Sequence, residues 1–67
     1  MSVIKVIEVV ATSDKGFEQA VINAVQEAAK TINNIESVYV KEMNAKVENG
    51  LIVSYGVNAK ISFRIVE

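Results

Sequence analysis

The stretch from Leu51 to Ile65 alternates along its whole length. Leu51, Val53, Tyr55, Val57, Ala59, Ile61, Phe63 and Ile65 are apolar, and most residues between them are polar or small: Ser54, Gly56, Asn58, Lys60, Ser62 and Arg64. A period of two marks a strand with one buried face. At roughly 3.3 Å per residue, such a strand reaches about 50 Å. That is long for a chain of 67 residues. The strand must curl, or run past its own core to meet another subunit. Assembly, rather than catalysis, is the first implication.

Composition sharpens that implication. A chain of this length is read as one domain, residues 1–67. A domain so small buries only about 60% of its unfolded surface and usually needs disulfides, a metal or partner subunits. With no cysteine and no histidine, disulfides are excluded and the usual ligands of zinc, copper and haem are missing. Partner subunits remain. The net charge is −1, with no basic block, so a nucleic-acid role lacks its electrostatic basis. No apolar run approaches the roughly 20 residues of a membrane-spanning helix. Lys5 and Glu8 interrupt the N-terminal apolar residues, which is not the layout of a signal peptide. A cytoplasmic protein is expected.

Val3 to Val10 reads as a first strand, apolar in both alternating sets: Val3, Ile7, Val9 and Ile4, Val6, Val10. A strand apolar on both faces is buried on both. A single helix covers only one, so the other is expected to meet another subunit. Thr12-Ser13-Asp14 then offers helix caps, with Ser13 the expected cap and Asp14 in the first turn. Phe17, Ala20, Val21, Ala24, Val25, Ala28 and Ile32 recur at helical spacing. They predict one amphipathic helix of about 20 residues, ended by Asn33-Asn34. Its alanine-rich stripe lets it lie close to a sheet. Ile22, off the stripe, is a candidate subunit contact.

A second strand is expected from Glu36 to Val47. Its apolar parity changes from Val38 and Val40 to Met43, Ala45 and Val47, which predicts a β-bulge near Lys41-Glu42. Glu48-Asn49-Gly50 is the turn. Asn-Gly suggests a two-residue loop, but parity favours a three-residue loop pairing Val47 with Leu51, Ala45 with Val53 and Met43 with Tyr55. The expected fold is α+β, in the order β-α-β-β. One helix lies across a three-stranded antiparallel sheet of strand order 1-3-2.

Chemistry is sparsely signalled, and no enzyme is expected. Gly16, Gly50 and Gly56 are too scattered for a phosphate loop. Glu8, Glu42 and Glu48 read as solvated charge. No Asp/Asn loop spacing marks a calcium or magnesium site, so no metal-binding residues are assigned.

Several segments together resemble the dodecin family. They are Val3 to Val10 followed by Ala11-Thr12-Ser13, then Phe17-Glu18-Gln19-Ala20, Ala45 to Gly50, and Val57 to Arg64. The resemblance spans nearly the whole chain without gaps. It implies a sheet curling round the helix and a hollow homododecamer. It also implies binding of FMN, riboflavin or lumichrome, for storage or for quenching of flavin photochemistry. Two positions depart from the family's flavin-binding pattern. Ser37 stands where an aromatic stacks on the flavin ring, and Gly56 where a glutamine bonds the ring edge. A serine has no π-face, and a glycine has no side-chain donor. Tyr39, on the same expected face as Ser37, is the candidate replacement platform. Ser37, Gly56 and Tyr39 are therefore the candidate cofactor-binding positions. The alternative is a structural or metal-ion-binding dodecameric shell with no flavin role. On either reading, the implied partners are further copies of the chain and a small-molecule or ionic ligand.

Overall fold

The computed structural model describes residues 2–66. Its elements are β1 (Val3–Ser13), α1 (Phe17–Ala29), β2 (Ile35–Glu48) and β3 (Leu51–Ile65). The strands form one antiparallel sheet in the order β1-β3-β2, with β3 central. This is the α+β, β-α-β-β architecture that the alternation predicts. The molecule measures 52 × 19 × 13 Å, its long dimension close to that of one extended strand.

The core forms where α1 crosses the sheet. Ala20, Ala24 and Ala28 of the helix and Val57, Ala59 and Ile61 of β3 are the buried apolar residues. Their 3.6- and 2-residue periods put each set on one face, and the alanines let helix and sheet approach closely. Such a core is thin. Val10, Tyr39, Met43, Val47 and Leu51 stay at least 60% exposed. Ile22, the off-stripe residue, is 38% exposed.

The helix is shorter than its apolar stripe. It has 13 residues, against the expected 20 or so, and its cap is Gly16 rather than Ser13. The reason lies in β1, which runs on to Ser13 and pairs it with Tyr55. The Ser13 hydroxyl instead accepts a hydrogen bond from the Lys15 N–H at 2.9 Å, a local turn typical of serine. Gly16, at φ 155° and ψ 172°, then redirects the chain through a region that essentially only glycine enters. At the other end, the Thr31 and Ile32 amides donate back to the Ala28 carbonyl at 3.2 and 3.0 Å. Asn34 takes the left-handed conformation, φ 64°, and the asparagine pair lies beyond the Lys30 cap, in the connection leading into β2, rather than at the helix end. Ile32 remains half-buried beyond the helix end.

The bulge at Lys41 is present: Val40 faces Ala59, Glu42 faces Asn58, and Lys41 is the extra residue. The hairpin differs from the expected one. Glu48 faces Leu51, and Asn49 (φ 53°) and Gly50 (φ 77°) are both left-handed, as a two-residue type I′ turn requires. The parity conflict is absorbed two residues further on. Val47 faces Ile52 but Lys46 faces Ser54, which leaves Val53 unpaired as a second bulge. Type I′ matches the twist of the flanking strands, and a bulge inside the ladder resets the faces. Ala45 thus faces Tyr55 and Met43 faces Val57, not Val53 and Tyr55.

Candidate ligand site

The register defines the sheet face turned away from α1. Residues directly opposite one another share a face, and four rows cross all three strands. They are Thr12–Gly56–Asn44, Val10–Asn58–Glu42, Glu8–Lys60–Tyr39 and Val6–Ser62–Ser37. No element of the described chain covers this face. Val6 and Val10, from the second apolar set of β1, are 55% and 74% exposed on it.

All three candidate positions lie on this open face, but not side by side. Ser37 and Tyr39 occupy adjacent rows, while Gly56 lies two rows beyond Tyr39, or about 13 Å along β3 at the usual strand rise. Ser37 is exposed and presents only a hydroxyl. Of the other aromatics, Phe17 and Tyr55 pack edge to face at 5.1 Å, and Phe63 pairs with Lys5 and Ile35 on the helix-side set. Tyr39, 65% exposed, is thus the aromatic the open face offers. Its cross-strand neighbour is Lys60.

Charges on this face are spread out. The Lys41 ammonium, on the bulge, reaches the Glu8 carboxylate at 3.7 Å, and Arg64 lies 3.7 Å from Glu36. Both pairs are about half exposed and contribute at most about 1 kcal/mol. Glu48 pairs with Lys46 at 3.6 Å near the turn. Among the described residues, no three acidic, histidine or cysteine side chains converge on a point that would hold a metal ion.

Gly56 is buried, and the space beside it is not empty. A Cβ built there would lie 2.8 Å from Asn44 Oδ1 and 3.8 Å from Asn44 Cγ. In the next row, Asn58 Oδ1 is buried with no hydrogen-bond partner among the described residues. Sequence reasoning missed Asn44 because the expected three-residue loop sets it opposite Ser54. The observed turn and bulge move it opposite Gly56.

Two further hollows flank α1. One, polar and about 530 Å³, includes Thr12, Lys15, Gln19 and Asn23 in its lining. There Asn23 accepts from Gln19 at 2.8 Å and donates to the Thr12 carbonyl at 3.1 Å, which ties the end of β1 to the helix. The other, about 450 Å³ and mostly apolar, lies between α1 and the outer edge of β1. Neither contains a candidate position. No described helix is long and apolar enough to cross a membrane.

A small α+β scaffold with one face closed by its helix and the other left open defines a binding protein built for association. The family model for dodecin matches residues 3–66, and the chain belongs to the dodecin family. It is 34% identical to the calcium dodecin of Mycobacterium tuberculosis over 65 residues, covering 97% of this chain and 92% of that protein. It is 32% identical to the dodecin of Thermus thermophilus, covering 97% and 94%. The structure of dodecin from Streptomyces coelicolor superposes with a TM-score of 0.93 at 35% identity, covering 98% of this chain and 94% of that one.

Proposed function

We propose that this chain is the protomer of a homododecameric shell that holds a flavin, FMN or riboflavin, for storage or sequestration rather than turnover. The observation that carries the reading is Tyr39: an exposed aromatic on the uncovered sheet face, beside Lys60 and one row from Ser37. Its ring supplies the stacking surface that Ser37 lacks. Lys60 supplies positive charge for an anionic tail. Shell formation is supported by the thin core, the exposed apolar residues of β1 and the hairpin, and membership of the dodecin family. Binding without catalysis is supported by a composition without histidine or cysteine, and a cytoplasmic location by the lack of cysteine.

Fluorescence titration with FMN, riboflavin and lumichrome tests this, with the mass checked by light scattering. Quenching by the wild-type oligomer is expected, and Tyr39→Ala should weaken binding by about ten- to a hundredfold, in line with the ~1–3 kcal/mol of aromatic stacking. A stable monomer overturns the shell. No quenching at high micromolar protein overturns flavin storage.

A second reading is ion binding, favoured by the calcium dodecin relative. Glu8 and Glu42 flank β3 on the open face in adjacent rows. With no three-residue cluster among the described residues, the remaining oxygen ligands would come from neighbouring copies. Calorimetric calcium binding without flavin quenching would move the conclusion to this reading.

A further inference from the structure

The ion pair between Lys41 and Glu8, at 3.7 Å, joins the two outer strands, β2 and β1, across the central one. Outer strands of such a sheet stand about 10 Å apart, two strand spacings, so both side chains must reach inward over β3. The other ion pairs of the described residues lie within α1, within β2 or between neighbouring strands. The span depends on the bulge. Lys41 is the extra residue between Val40, opposite Ala59, and Glu42, opposite Asn58. It has no cross-strand partner of its own, which leaves its side chain free to cross the sheet. Glu8 belongs to the row Glu8–Lys60–Tyr39. The pair therefore crosses β3 between Asn58 and Lys60, beside the row of the exposed Tyr39 ring and short of the row of Gly56.

We propose that the Lys41–Glu8 pair is a strap over the open face, closed in the free protein, which a planar ligand must open in order to stack on Tyr39. This rests on the flavin reading above. A ring lying on Tyr39 and extending over β3 covers Lys60 and meets the Glu8 end of the strap. The ring then either buries the pair or parts it. Both partners are 45% exposed, so water makes good most of what parting loses. Burying the intact pair beneath an apolar ring strips that water from two charges, a cost that can exceed their mutual attraction. Parting is the cheaper course. The strap is thus a weak autoinhibitory contact, and salt, which screens exposed charges, relaxes it.

The test is titration of the assembled protein with riboflavin, which carries no charge for salt to screen, at low and high sodium chloride. Wild-type affinity is expected to rise with salt, by up to about fivefold, the limit set by an exposed pair. At low salt Glu8→Gln and Lys41→Met are each expected to bind riboflavin tighter than wild type by a similar factor. Neither should show the wild-type salt response, and combining them should add nothing further. An equal salt response in wild type and Glu8→Gln overturns the strap alone, as does affinity in both variants no higher than in wild type. Failure of the wild type to bind riboflavin at any salt overturns the flavin reading and this inference with it. A stability cycle on the same two substitutions checks the pair without ligand. Coupling at low salt that fades at high salt is expected; strict additivity at low salt overturns the strap whatever riboflavin does.

Discussion

The two faces of β3 make different demands on the same fifteen residues. On the helix face, Val57, Ala59 and Ile61 are at most 2% exposed against the alanines of α1. On the open face, Gly56, Asn58, Lys60 and Ser62 lie beside their cross-strand neighbours, with no described element over them. One set is closed within the chain; the other is covered by no described element. On the proposed function, folding and recognition are interleaved at a period of two in a single strand. A substitution should report on one or the other according to parity.

The largest expected effect lies on the helix face. Ile61→Ala leaves a cavity under α1 and should cost about 2–5 kcal/mol in urea denaturation at fixed protomer concentration. Lys60→Ala, its neighbour on the open face, should stay within about 0.5 kcal/mol. Equal costs for the two would break the comparison. A smaller effect is expected at the hairpin, beyond the helix. Gly50, at φ 77°, should lose about 1–2 kcal/mol as Gly50→Val, because a branched side chain resists the left-handed region. An unchanged melting temperature would remove the type I′ turn. The smallest effect belongs to the open face. Lys41→Met, which breaks the pair with Glu8, should cost at most about 1 kcal/mol and progressively less as salt rises. A larger, salt-insensitive loss would mean that the pair is buried in the assembled protein.

Much of the fold was legible because periodicity is a local signal. The alternation of β3, the helical stripe through Ala20, Ala24 and Ala28, and the parity break at Lys41 each need only neighbouring residues to be read. The helix start and the hairpin register were not legible. Ser13 is a good cap by type, but the ladder to Tyr55 holds it in β1. The Asn49-Gly50 signal was right and the parity objection wrong, because the compensating bulge at Val53 leaves no mark in composition. The placement of Tyr39 and Gly56 on one face of the sheet followed from parity along each strand. The pairing of Asn44 with Gly56 could not be read, because it depends on the turn and the bulge at Val53 together.

The sequence by itself determined the elements, the strand order and the helix-side core, because hydrophobic period and burial are coupled residue by residue. It also determined which side chains are unavailable, since no arrangement supplies a missing histidine, cysteine or tryptophan. Only the tertiary structure decided which side chains share a row on the open face. Register is a sum of small offsets at turns and bulges, and each offset moves every later residue against its partners. Two such offsets place Asn44 over Gly56, where the alternating strand alone showed only a gap.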